Sequence, residues 1–431
     1  PSQGYVGGEA SVTITTNDLG NSGEGGAEID TDTVSITVSP TPPFEDSPTH
    51  FTLPSMLDQS FGAGGFKTFE SGEGARILDV EQSPDGKYVA AGRHSGSAAL
   101  FRFNSDWDLD TSFGEGTGVI GVQGDHAQAL IVEEAGTILV GGEKYISRHQ
   151  LSDGQYDLSF GGGDGKAEFN SIDELRSLSI LPTGTILAAG SEAPSRVATL
   201  DAHGKNPSSL QYDAFAGSGY DVYSRDDGDI LLVGTRVLNS AFLTTRQDYM
   251  GNDESHEVLN LSIHDDRDGS TGLPKSIELS DGKILLVGTS DDKFALSRVH
   301  ADGSFDTTFG EEGRVVFQVP EHSLARSYDA TVQPDGKIVL VGSVYNGTDW
   351  DFAVARLSYD GLLDSNFGTD GVLIHSYSEA DDWGVSVAID SEDKIILFGH
   401  SGNNLVIGRL LGDYRNLTPT LDSIPGINID E

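Results

Sequence analysis

Side chains capable of chemistry recur along this chain at regular intervals. Six arginines, Arg102, Arg148, Arg246, Arg298, Arg356 and Arg409, each stand near the end of an apolar run, with Thr199 at the matching place in a further copy. They account for about a quarter of the 26 Lys+Arg residues in a chain that carries 68 Asp+Glu. A reaction does not need the same residue in six copies of a repeat, so these arginines are expected to form structural ion pairs with aspartates of nearby turns. The aspartates recur as well, as Asp110, Asp157, Asp306 and Asp364. An Asp that opens a turn caps backbone N–H groups with its own side chain, which explains the recurrence without a bound ion.

Other reactive patterns are missing. There is no Cys, which removes thiol chemistry, thiolate metal sites and disulfides. No nucleophile elbow, HExxH, phosphate-binding loop or dinucleotide fingerprint occurs, so neither a catalytic residue nor an organic cofactor is expected. Binding residues are sought instead where loops depart from the repeat. Trp350, Trp383 and Tyr345 fall in such loops and could form an aromatic platform for a sugar ring or a peptide. Trp383 could equally pack against the strand that follows it. Arg93, His94, His126, Arg236, Asp382 and His400 are expected on the same face. In HDDRDGST (264–271), Asp266 and Asp268 have the Asp-x-Asp-Gly character of a calcium loop but lack its closing Glu and flanking helices.

The elements that must position these residues show themselves as a repeat. PDGKYVAAG (84–92), EAGTILVGG (134–142), PTGTILAAG (182–190), DDGDILLVG (226–234), SDGKILLVG (280–288), PDGKIVLVG (334–342) and SEDKIILFG (391–399) are seven copies of a tight turn entering an apolar strand. Their turn residues, Gly86 through Asp393, are spaced by 50, 48, 44, 54, 54 and 57 positions, room for four strands per unit. A second motif reads LDQSFG (57–62), LDTSFG (109–114), YDLSFG (156–161), FDTTFG (305–310) and LDSNFG (363–368). A third is an apolar strand ending in Arg, as in FALSRV (294–299) and DFAVARL (351–357). One LDxSFG element precedes the first turn unit and none follows the last Arg strand, so residues 64–70 are expected to supply the outer strand of the seventh blade. The fold class expected is all-β: a seven-bladed β-propeller of four-stranded blades over 57–413, with a partial β-sandwich segment at the N-terminus.

These three motifs together resemble the delta-60 repeat family over residues 57–411. The resemblance implies a β-propeller carried by large bacterial surface or secreted proteins, with no chemistry assigned to it. The segment 12–48 alternates apolar residues around a Gly-rich turn and resembles the last strands of the cadherin-like or Ig-like repeats of bacterial adhesins, with Glu45 in place of the usual Asn. That resemblance implies calcium as a structural ion near Asp30, Asp32, Glu45 and Asp46. Residues 1–40 are then the end of one stalk repeat, 41–56 a Pro-rich linker, and 414–431 a linker and first strand of the next repeat.

A formal charge of -42 argues against nucleic acid and anionic membrane surfaces as partners. No apolar run is long enough to insert into a bilayer. The expected function is an extracellular, monomeric module, at the bacterial surface or secreted, that binds a glycan or peptide alongside neighbouring stalk repeats. The alternatives are a structural spacer within the stalk and a polysaccharide-active enzyme.

Overall fold

The computed structural model describes residues 56–69, 75–169, 172, 174–190, 197–208, 221–224, 230–233, 275–300, 302 and 304–412, together with the backbone of 9–17, 29–37, 70, 191, 196, 209–211, 219–220, 234–235, 241–247 and 253–260. The chain divides into two compact units, Pro1–His50 and Phe51–Glu431, and the division falls within the Pro-rich stretch 41–56. In the first unit, Glu9–Asn17 and Ile29–Thr37 pair antiparallel, from Glu9 opposite Thr37 to Asn17 opposite Ile29.

In the second unit the turn chemistry sets each hairpin. Gly86, Gly282 and Gly336 adopt φ of 78°, 77° and 86°, a region that glycine enters without a Cβ penalty. The strands behind these turns, such as Tyr88–His94, Ile284–Ser290 and Ile338–Tyr345, are buried over nearly their whole length. Both of their faces are apolar because a neighbouring sheet covers each one.

Among the described residues, seven four-stranded antiparallel sheets follow one another along the second unit. We number them blades 1 to 7: residues 76–121, 129–168, 174–211, 219–260, 276–317, 324–375, and finally 382–410 joined by Phe66–Glu70. That last strand pairs with Asn404–Leu410, Phe66 lying opposite Gly408 and Glu70 opposite Asn404. Apolar clusters fill the spaces between consecutive blades, and one of them joins Phe398 and Ile407 of blade 7 to Ile77, Phe101 and Trp107 of blade 1. The sheets therefore close into a ring, a β-propeller, which leaves no sheet face at its ends without a neighbour.

Five of the six recurrent arginines hold this ring together; the side chain of the sixth, Arg246, lies outside the described residues. Arg298 Nε lies 2.7 Å from Asp306 Oδ2, and Lys283 Nζ of the preceding turn reaches the same oxygen at 3.1 Å. Arg356 meets Asp364 at 2.9 Å, Arg148 meets Asp157 at 2.7 Å, and Arg409 meets Asp58 at 2.9 Å. The guanidinium of each also lies over the Phe of its own SFG motif, for example Arg298 at 4.6 Å from the Phe309 centroid. Each Asp meanwhile accepts the N–H two residues on, as Asp306 does from Thr308 at 3.1 Å. The link continues outward, because Arg148 donates to Ala202 O at 2.9 Å and Arg102, Arg298 and Arg356 donate to the carbonyls of Leu151, Tyr359 and Gly412, all one repeat later. One guanidinium thus joins the Asp turn, the aromatic plug and the following blade.

Candidate functional site

The start of each first strand and the hairpin between the second and third strands lie at the same end of a blade, since Arg76 stands opposite Arg93. In blade 1 that hairpin is Ser95-Gly96, with φ of 49° and 82°, the paired positive values of a type I′ turn. In blade 7 it is Gly402-Asn403, with Gly402 at φ 54°. Between these two tight turns lies a cavity of about 640 Å³ lined by Ala75, Arg76, Arg93, Ser95, Gly96, His400, Gly402 and Asn403. Five of these carry polar or charged side chains, Arg76, Arg93, Ser95, His400 and Asn403, and Ala75 alone has an apolar one.

The cavity gathers cations in a strongly acidic chain. Arg76 and Arg93 are directly opposed across neighbouring strands, an arrangement of like charges that costs stability by itself. Arg93 Nη2 donates to Gly96 O at 3.2 Å, while its buried Nε has no acceptor among the described residues. His126 is close by, since Ala127 N–H donates to Gly92 O at 3.0 Å. Burial, followed by the charges of Arg93 and Arg76, holds the His126 pKa below the ordinary imidazole value against weaker opposing pulls from Glu174 and Asp125. His94 sits beside this group with its ring edge-on to Phe101, 6.0 Å between centroids, and directs its side chain at that ring rather than into the cavity wall. The cavity therefore draws in Arg93 and His400, with His126 at its flank. Arg76 was not singled out from sequence, although its register opposite Arg93 follows from the hairpin.

The aromatic residues also come together. Trp350 and Trp383 stack at 4.8 Å with 28° between planes, and Tyr345 lies 5.6 Å from Trp350. Arg326 caps the pair, 4.8 Å from the Trp350 centroid. Trp383 is only 8% exposed and packs on Tyr328 and Val385, so its faces are spent on the protein. Trp350 and Tyr345 remain half-exposed. Asp382 differs from the accessible position expected for it: it is fully buried, and its carboxylate accepts the N–H groups of Tyr377 at 2.7 Å and Ser378 at 3.1 Å. Burial raises its pKa. Its work is to fold the loop that carries Trp383, because a buried carboxylate must have partners.

Among the metal expectations, Asp30 and Asp32 lie in the strand Ile29–Thr37 opposite Thr16 and Ile14, on one face of the hairpin. Glu45, Asp46, Asp266 and Asp268, and likewise Arg236, fall outside the described residues.

A second constellation went unnoticed in the sequence. The innermost strands bulge at one recurring point, between Ile77 and Asp79, Leu175 and Ser177, Gly219 and Asp221, Ser327 and Asp329, and Gly384 and Ser386. Asp79, Ser177, Asp221 and Asp329 then accept an N–H of the following blade, from Leu130 at 3.0 Å, Val222 at 3.2 Å, Ser276 at 2.7 Å and Val387 at 3.1 Å. Blade 5 places Lys275 at the equivalent position, 3.5 Å from Asp79 and 3.7 Å from Asp329. Blades 5 and 1 are not neighbours, so that contact crosses the ring axis. Burial opposes the Lys275 charge, yet Asp329, Asp79 and Asp221 outweigh it and hold its pKa above the ordinary lysine value. Burial pushes Asp221 up to about 6 and, with the charge of Asp79, Glu81 up to about 7. The signal was present: Asp79, Ala129, Ser177, Asp221, Lys275, Asp329 and Ser386 each stand seven positions before the turn residue of their repeat.

Comparison with known proteins agrees with this architecture. Residues 83–113, 279–309 and 333–367 match the family described as a domain of unknown function (DUF5122) beta-propeller. No curated protein matches. A solved streptogramin B lyase structure superposes with a TM-score of 0.52 at 13% identity, covering 80% of this chain and 97% of that one. Virginiamycin B lyase from Staphylococcus aureus gives 0.48 at 13% identity over 80% and 99%. The extracellular domain of a one-component system protein from B. thetaiotaomicron gives 0.44 at 11% identity, covering 80% of this chain and 40% of that one. At 13% identity the likeness to the streptogramin B lyase structure bears on the fold alone. Among the described residues, no helix is long and apolar enough to cross a membrane.

Proposed function

We propose that this chain is an extracellular ligand-binding or adhesion module of a large bacterial surface protein, and that its loop face holds a glycan. The observation that carries this reading is the cavity of about 640 Å³ between blades 7 and 1, a volume within the usual range for ligand sites, walled by hydroxyl, amide, imidazole and guanidinium groups. The half-exposed Trp350 and Tyr345 support it as a stacking surface on the same face, where Trp383 lies directly opposite His400 of the cavity wall.

The test is a glycan array probed with the full chain and with Trp350→Ala. The expected result is binding to a restricted set of glycans that weakens in the variant while the melting temperature holds. Silence across the array would instead favour a structural spacer, a role in which the ring and its arginine links matter and the loops do not.

A further inference from the structure

The cavity between blades 7 and 1 is selective in a way that its volume does not explain. Arg76 and Arg93 face each other across one strand pair. Opposed like charges in a sheet destabilise it, and a bound anion turns that cost into attraction. Arg93 keeps a buried Nε with no acceptor among the described residues, so the protein satisfies its guanidinium only in part, and both Arg93 and Arg76 line the cavity. The bond from Arg93 Nη2 to Gly96 O fixes the plane of the guanidinium at the cavity rim.

We propose that this cavity binds an anionic saccharide unit, with the Arg76–Arg93 pair gripping its carboxylate or sulfate; this rests on the glycan-binding reading above and names its ligand class. The remaining wall supports a sugar rather than a bare anion or a peptide. Ser95, Asn403 and His400 offer donors and acceptors suited to ring hydroxyls, and a bare phosphate would leave most of the space to water. A peptide would look for apolar side-chain pockets or an open sheet edge, and among the lining residues Ala75 alone has an apolar side chain.

The surrounding acidity adds a signature. At a formal charge of -42 the protein as a whole repels a polyanion, and the repulsion reaches across the solvent when salt is low. At physiological ionic strength it is screened beyond about 8 Å, whereas the close contact with the arginines survives. Binding therefore rises from low to physiological salt and falls again at high salt.

The experiment measures binding of the full chain to immobilised polyuronate, to a sulfated polysaccharide, to a neutral polysaccharide and to poly-glutamate. The expected result is retention on one or both acidic polysaccharides with the salt maximum described, reduced about tenfold or more in Arg93→Gln and Arg76→Gln. Arg93→Lys should recover only part of the loss, because an ammonium lacks the paired donors. Thermal melts of each variant show whether lost binding comes from lost folding, and Arg93→Lys serves as the folded control. Neutral glycan binding that the arginine variants leave unchanged would overturn this inference and leave the glycan-binding function standing. Retention of poly-glutamate equal to that of the polyuronate, with the same arginine dependence, would overturn it in favour of an acidic peptide. Failure to bind any polysaccharide, neutral or acidic, would remove the function itself.

Discussion

Arg298 and Asp306 meet at 2.7 Å with their side chains 1% and 2% exposed, so two full charges lie in the protein interior, with Lys283 3.1 Å from the same carboxylate. Such a pair is weak evidence for stability as a unit, yet removing Arg298 leaves the buried Asp306 carboxylate to the more exposed Lys283 alone. Arg298→Ala should therefore cost about 3–5 kcal/mol, measured by urea unfolding. Arg148→Ala, at a pair with 12% and 13% exposure, should cost less. Equal losses at the two sites would argue against burial as the cause.

Lys275 is the cation among Asp79, Asp221 and Asp329 at the ring axis. Lys275→Met leaves three carboxylates without it, and the expected result is a loss of melting temperature, relative to the unaltered chain, that is larger at pH 8 than at pH 5. Adding Asp79→Asn to that variant should recover part of the loss at pH 8. A pH-independent loss would mean that Lys275 acts by packing its stem.

Glu81 gives the ring an inverted pH dependence. Its pKa is about 7 in the fold against 4.5 as the ordinary value, so the folded state holds the proton more tightly. Its contribution is complete below about pH 4.5 and is lost as pH rises through 7. Asp221, at about 6 against 3.8, acts in the same direction between those values. The link aspartates oppose this: Asp58 and Asp110, both near 2 because hydrogen bonds from Ser60 and Lys394, and from Lys87 and Ser112, outweigh burial, contribute above 3.8 and lose that contribution as pH falls through 2. The melting temperature should drop between pH 5 and pH 8, and Glu81→Gln should flatten that drop, as followed by calorimetry. An unaltered slope in Glu81→Gln would exclude this group as its source.

The two stacked tryptophans should separate in their effects. Trp383 is buried on Tyr328 and Val385, so Trp383→Ala should cost about 3–5 kcal/mol in chemical denaturation. Trp350→Ala, at a half-exposed position, should cost clearly less and act on glycan affinity instead. Comparable destabilisation by both would assign Trp350 to packing and remove it from the binding face.

Much of the architecture was legible in the chain because its signals are local. The Asp-Gly turns, the apolar strands and the LDxSFG and Arg motifs are each read within ten residues, and their recurrence shows which elements are equivalent. The pairing of Arg298 with Asp306 spans 8 positions and was within reach of that reading. The proposed binding face was legible in part: Trp350, Trp383 and Tyr345 do meet, but nothing local shows that Trp383 and Asp382 turn inward. Arg76 lacked any marker except its distance from the Arg93 hairpin. The expectations for Arg236 and for the carboxylates Glu45, Asp46, Asp266 and Asp268 fall outside the described residues.

By itself the sequence determined the strand order, the repeat and the arginine–aspartate links at Arg148, Arg298 and Arg356, since hydrogen-bonded turns and short-range ion pairs depend on neighbours a few residues away. Only the tertiary structure decided which side chains meet across the axis and between the last and first blades. Lys275 and Asp79 are 196 positions apart, and the Phe66–Glu70 strand reaches Asn404–Leu410 from the far end of the unit. Such contacts arise from ring closure, where the apolar faces of all the blades must be covered at once, and the bulge in five of the seven inner strands recurs at the position that faces the following blade.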